Sequence, residues 1–161
     1  MQPFPLVTAW RVLENKIATK VNLEKRGIVL DSPLCSFCRV EEKSCRHLFF
    51  ECRFAWLVWS HCFEWIGVQF VSHNVPLLNF FQFKLINASG DVRGAVWIVV
   101  VSELWKHRNN VSFNRGVADV SEVFVLVQLK AWSWVTAKSH AMLFFFSNWC
   151  LDPLVCMRMI C

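Results

Sequence analysis

PLCSFCRVEEKSCRHLFFEC, residues 33–52, sets four cysteines and one histidine within twenty residues of an otherwise apolar chain. Sulfur at this density has four explanations: buried thiols, a disulfide frame, a nucleophile, or a metal site. The N-terminal MQPFPLVTAWRVLENK has no basic n-region and no small-residue cleavage site. The expected compartment is therefore intracellular and reducing, the nucleus included, which disfavours disulfides. Buried thiols alone would not explain why the cysteines keep company with His47, Glu and Lys.

Written as ligands, the stretch reads Cys35-x2-Cys38-x8-His47-x4-Cys52. Zinc takes four soft or borderline donors in a tetrahedron, and a Cys-x2-Cys turn sets two sulfurs on one side of it. A His and a Cys further on can close the other side. Cys45 is a rival that could replace either His47 or Cys52. VEEKS (40–44) reads as a polar, exposed loop. His47 and Cys52 are five residues apart, about 140° around a continuous α-helix. They cannot both reach one ion from such a helix, so a helix is expected to start near Cys52, with His47 on a preceding turn or short strand. Leu48, Phe49 and Phe50 would pin the site against the core.

Four protein donors leave no open position for a water, which argues against a catalytic zinc. The deaminase pattern needs a His-x-Glu ahead of Pro-Cys-x2-Cys, and no histidine precedes Cys35. No Gly-rich phosphate loop is present. A Cys/His nucleophile would be built from the residues the metal pattern already explains. His61, His73, His107 and His140 stand alone, with core or surface roles. The chain is read as no enzyme.

Outward from this stretch the sequence is helical. Leu6, Trp10, Leu13 and Ile17 give one face of a helix; Thr19 offers an N-cap and Gly27 a stop, so 5–27 reads as two short helices. Residues 53–66 are apolar on nearly every face and predict a helix covered on several sides, closed by Gly67. Residues 67–94 read as a linker, with a short helix after Pro76, a loop at NASGDVRG and a lobe boundary. Residues 95–140 read as a helical hairpin region. Val96, Trp97, Val100, Val101, Leu104 and Trp105 form its first stripe, and Lys106, His107 and Arg108 meet the negative end of the dipole. Asp119 and Glu122 predict a reciprocal cap, followed by Val123, Val127, Ala131 and Trp134 on one face. Residues 141–161 read as an irregular apolar tail. The fold class is mainly α: a small zinc-stapled helical domain over 4–66, then a helical, Trp-rich C-terminal region.

The 161 residues are 55% hydrophobic, with 9 Trp and 15 Phe, and carry a net charge of +5. That much apolar area hints at a missing partner. AVWIVVVS (95–102) is far shorter than the ~18 residues of a membrane span, so no membrane is expected. The cations are dispersed, without a block of like charge.

The segments AWRVLENKIATKVNLEKRGI (9–28) and LCSFCRVEEKSCRHLFFECRFAWLVW (34–59) resemble the reverse-transcriptase zinc-binding domain of plant LINE-type (non-LTR) retroelements. The resemblance covers about residues 4–66, with Ala18 where that family has Pro. ELWKHRNNVSF (103–113) is similar to the region that follows the domain in related plant proteins. The resemblance implies Zn²⁺ on Cys35, Cys38, His47 and Cys52, and an origin downstream of a polymerase. No polymerase aspartates or ribonuclease H carboxylates accompany it, so the chain looks like a detached module. Three readings follow. One is a structural zinc module binding RNA or DNA through Arg11, Lys16, Lys20, Lys25, Arg26, Arg39, Lys43 and Arg46. The second is a scaffold meeting a protein partner through the Trp-rich helices at 54–66, 95–108 and 120–135. The third is a degenerate retroelement fragment without present activity. Arg39, Lys43, Arg46 and Arg53 have a plainer role open to them as well, offsetting the −1 charge of a three-thiolate zinc site.

Overall fold

The computed structural model describes residues 4–69, 75–85, 90–139 and 144–160. Among these the chain forms eight α-helices: α1 (Phe4–Leu13), α2 (Lys20–Lys25), α3 (Arg53–Trp65), α4 (Pro76–Leu85), α5 (Gly90–Phe113), α6 (Val120–Ser139), α7 (Phe146–Leu151) and α8 (Pro153–Arg158). A π-helical turn at His47–Glu51 precedes α3. Strand character among the described residues is confined to one isolated bridge, Leu34 with Glu42. The mainly helical expectation holds. His73 and His140 lie outside the described residues.

The first helix is shorter than the apolar spacing to Ile17 predicts. α1 stops at Leu13 because Asn15 turns into the left-handed region, φ 51°, a conformation Asn tolerates better than most residues. Its inward face is Thr8, Ala9 and Val12, while Leu6 and Trp10 of the predicted stripe are exposed. Small inward side chains let α1 lie close on α5, which it packs against. Thr19 caps α2 as expected, its side chain accepting from Asn22 N at 3.3 Å. Gly27, φ +81°, ends the turn after it. The buried Asn22 Nδ2 donates to the carbonyls of Asn15 and Ile17, both at 2.9 Å, and locks the corner between the helices.

α5 is the central post, packed by α1, α3, α4 and α6. Val96, Trp97, Val100, Val101 and Leu104 are fully buried along it. Removing such side chains from water is the main favourable contribution to folding, at roughly 25 cal/mol per Å². The helices on either side of residues 67–94 share one core. Phe50 and Trp59 of the N-terminal part stack near Trp97 at 6.5 and 6.3 Å, and Phe49 lies 6.3 Å from Trp105. Trp59 Nε1 donates to Phe49 O at 2.6 Å and Trp97 Nε1 to Asn79 Oδ1 at 2.7 Å, so the indoles enter the core with their polar atoms satisfied.

Three expectations change here. α5 starts at Gly90, inside the predicted loop, and runs to Phe113. Lys106, His107 and Arg108 therefore lie within the helix, not at its end, and His107 and Arg108 are buried. The cap of α6 is one-sided: Asp119 Oδ1 accepts from Ser121 N and Glu122 N, but the Asp119 N–H goes to His107 Nε2 at 3.1 Å. His107 has taken the role assigned to Glu122. The tail is not irregular, because Asp152 caps α8 with Pro153 in its first turn. Trp149 of α7 is fully buried, edge-on to Trp65 at 5.1 Å, with Nε1 donating to Gln128 O at 3.0 Å. No helix among the described residues is long and apolar enough to cross a membrane.

Candidate metal centre

The cysteine stretch begins as a tight reversal. Cys35 N donates to Glu41 O at 2.8 Å and Lys43 N to Pro33 O at 2.9 Å, which closes the two arms around the bridge. Within the reversal Arg39 N donates to Cys35 O at 2.9 Å, and Arg39 adopts φ 57°. A bulky residue in that region costs about 1–2 kcal/mol. The turn thereby sets Cys35 and Cys38 on one side.

The opposite side comes from the π-turn. Ser44 Oγ accepts from His47 N at 3.0 Å, and Cys52 N donates to His47 O at 2.7 Å, an i→i+5 bond. The wider turn brings residue 52 over residue 47 and removes the 140° conflict of an α-helix. α3 starts next to Cys52 and His47 lies on the turn before it, as expected, and of the two forms left open the chain takes the turn and not the strand. A π-turn joined to an extended Cys52 is the solution the chain uses.

Cys35 Sγ, Cys38 Sγ, Cys52 Sγ and one ring nitrogen of His47 all lie within 4.8 Å of one another. Cys35 and Cys52 sulfurs are 3.9 Å apart, and Cys38 Sγ is 3.2 Å from His47 Nε2. Sulfurs bound tetrahedrally at about 2.3 Å from zinc stand about 3.8 Å apart, so the donor set fits that ion. Cys35, His47 and Cys52 are buried and Cys38 half-buried, which keeps water from competing. Glu41 Oε2 stands 3.1 Å from His47 Nδ1, within ion-pair distance but off the line of the N–H, so Nδ1 has no aligned hydrogen bond. A carboxylate there orients the ring with Nε2 toward the donors.

The Cys35 and Cys52 sulfurs are in contact, and the contact moves the two thiols in opposite directions. The Cys52 hydrogen bond, followed by the Cys38 and Phe37 backbone, holds Cys35 down to about 4 against the cost of burial. The same bond, with burial, pushes Cys52 up. The downward shift of Cys35 favours its thiolate, the form that binds metal. Cys45 is not in the cluster: its sulfur approaches Val12 O at 3.7 Å, and burial pushes it up to about 12.

The proposed counter-charges divide. Arg39, Arg46 and Arg53 are exposed, and Arg46 is tied to Glu51 at 2.8 Å. Lys43 is fully buried inside the supposedly exposed loop, with Nζ donating to Ser36 Oγ at 2.6 Å. It cannot meet a phosphate directly, which removes it from the list of surface contacts. Burial and then Arg108 lower Lys43 to about 7, while Cys35 opposes the shift. Arg108, which sequence reasoning gave to the helix dipole, is buried as well and feels the Cys35 charge. Nothing in the spacing signals this pair, because a helix and a loop bring them together.

Of the other predicted contacts, Arg11, Lys16, Lys25 and Arg26 are exposed and Lys20 is half-buried. Lys16 pairs with Glu14 at 3.5 Å and lies 4.9 Å from the Trp10 ring. Arg26 Nη2 donates to Lys16 O at 3.3 Å, so those two cations are neighbours. Lys25 and Arg46 line one pocket of about 450 Å³.

A Cys3His cluster held by a reversal and a π-turn, backed by a helical core, defines a metal-binding module whose donors suit zinc. Residues 4–59 match the family described as zinc-binding in reverse transcriptase. No curated protein and no solved structure matches the chain.

Proposed function

We propose that the chain is a non-catalytic zinc-stapled module, derived from a plant LINE-type retroelement, that binds RNA or DNA inside the cell, the nucleus included. The observation that carries the binding is a set of unpaired surface cations on the module itself. Arg11, Lys25 and Arg39 are exposed, and no carboxylate lies within ion-pair distance of any of them among the described residues. Phosphates are the partners such groups accept without first breaking an ion pair. The donor count supports the structural role of the metal: three sulfurs and one imidazole fill a tetrahedron and leave no position on the ion for a reacting water.

Fluorescence anisotropy with single-stranded RNA and duplex DNA tests the reading. Binding should weaken as salt rises, by about 0.7 in the logarithmic slope for each phosphate contact on a single strand. Replacing Arg11, Lys25 and Arg39 together by Ala should flatten that slope. Undetectable or salt-independent binding contradicts it.

A second reading, a protein-interaction scaffold, draws on a different surface from the one the sequence pointed to. Trp59 and Trp97 are consumed by the chain's own core. Leu6, Val7 and Trp10 on α1 and Leu77, Leu78 and Phe81 on α4 are exposed, and the two helices touch. Nuclease-resistant self-association, measured by light scattering and lost on Trp10→Glu, is its expected signature; a monomer at all concentrations contradicts it.

A further inference from the structure

A pocket of about 480 Å³ opens between α2, the loop after it, the cysteine reversal and the end of α5. Its polar lining includes Lys20, Asp31, Ser36, Arg108, Asn109 and Ser112. We propose that this pocket binds a phosphate group. The proposal rests on the nucleic-acid reading only for where that phosphate comes from, not for the site.

Arg108 is the main argument. Its side chain is 4% exposed, with the guanidinium 4.8 Å from the Trp105 ring and 5.4 Å from the Phe113 ring. One nitrogen donates to Asn109 Oδ1 at 2.6 Å, and the buried Nε has no partner. A guanidinium carries five N–H donors, and leaving buried ones unmet is costly. No carboxylate lies within ion-pair distance of Arg108, Lys20 or Lys43 among the described residues. The rings hold the fork by cation–π attraction and supply no oxygen acceptor. A planar fork with free donors suits an oxyanion better than any other ligand class.

Lys43 extends the same field. Its Nζ donates to Ser36 Oγ at 2.6 Å, and Ser36 Oγ lies 2.6 Å from Ser112 Oγ. With Ser36 donating onward, the hydroxyl proton of exposed Ser112 is left to point into the pocket. An anion there favours that polarity, and each bond in such a chain strengthens the next. The buried lysine thus reaches the surface through two hydroxyls.

Neutralising the metal site does not use up these charges. A zinc ion with three thiolates and an imidazole would carry a single negative charge, fewer charges than Lys43, Arg108 and Lys20 bring together. Arg108 and Lys20 then face one wall carboxylate, Asp31, which is out of ion-pair reach of both. The volume exceeds what a phosphate needs and leaves room for an attached sugar.

The test uses the zinc-loaded full chain, with calorimetric titration of inorganic phosphate and of a nucleoside 5′-monophosphate, and anisotropy with single-stranded RNA. Ser112→Asp places a negative charge at the exposed end of the hydroxyl chain without disturbing the core, and should weaken phosphate binding at least tenfold. Lys20→Ala should weaken it several-fold, and Arg158→Ala, remote from the pocket, should not. Melting temperatures of the three variants check that each is folded. If Ser112→Asp lowers RNA affinity together with phosphate affinity, the phosphate belongs to a strand. If phosphate and monophosphate binding both fall while RNA is bound by no variant, the pocket stands with a free nucleotide as its ligand and the nucleic-acid reading fails. If no phosphate probe binds, or Ser112→Asp and Lys20→Ala change nothing, the pocket assignment is overturned, whatever RNA does elsewhere on the surface.

Discussion

Between Pro33 and Cys52 the chain makes one isolated bridge and one π-turn, whereas α5 and α6 run for 24 and 20 residues. The helical pair buries Val96, Trp97, Val100, Leu104, Val123, Val127 and Ala131. Its order comes from apolar area and would survive the loss of any one polar contact. The cysteine stretch buries Leu48, Phe49 and Phe50 on one side only, and its other side converges on sulfur and imidazole. That half has less apolar area to order it and carries a donor cluster whose charge an ion would balance. One chain thus carries two kinds of stability, and they should fail separately.

The largest effect should come from removing the metal. A chelator, or Cys52→Ala, is expected to cost several kcal/mol, less than the ~10–16 kcal/mol of isolated zinc peptides because α3 and the core hold part of the segment in place. Hydrogen exchange should then rise across residues 33–52 while α5 and α6 stay protected. Loss of protection everywhere would show that the two halves are not separable. Next, Trp97→Ala should cost about 3–5 kcal/mol, since it empties the place where α3, α4 and α5 meet. Denaturant unfolding of the zinc-loaded protein measures it, and a change below 1 kcal/mol would displace α5 from the centre of the account.

A smaller loss, about 1–2 kcal/mol, is expected for Gly67→Ala. Gly67 adopts φ +63°, and an added Cβ would stand 3.0 Å from Leu154 Cδ1. A neutral result by thermal melting would contradict it, since the left-handed backbone is strained for Ala even if Leu154 moves aside. The smallest effect, about 1 kcal/mol, belongs to Asp119→Ala, which removes the cap of α6. It should lower the melting temperature without changing metal affinity.

What the sequence made legible follows the same division. The helical class, Thr19 as a cap, Gly27 and Gly67 as stops, and the buried stripe of α5 were all readable, because local chemistry decides them. The four donors were readable as a group because their spacing belongs to one short stretch. The spacing left Cys45 in contention, and only the path of the chain turns its sulfur toward α1. The five-residue spacing of His47 and Cys52 excluded a continuous α-helix, but the π form of the turn was hidden, since a single turn of five residues is too short to show a period. α1 was misread because its inward face uses Thr8, Ala9 and Val12, which carry less apolar signal than the exposed Leu6 and Trp10. The tail carried a readable signal in Asp152-Pro153, a cap followed by a first-turn proline. Lys43 and Arg108 could not be paired from sequence, because the fold joins residues that are far apart along the chain.

The most direct test is X-ray absorption at the zinc edge together with metal content, on protein purified without added chelator. One zinc per chain, with three sulfurs at about 2.3 Å and one nitrogen at about 2.0 Å, is the expected result. A folded protein without metal, or a shell with only two sulfurs, would contradict it.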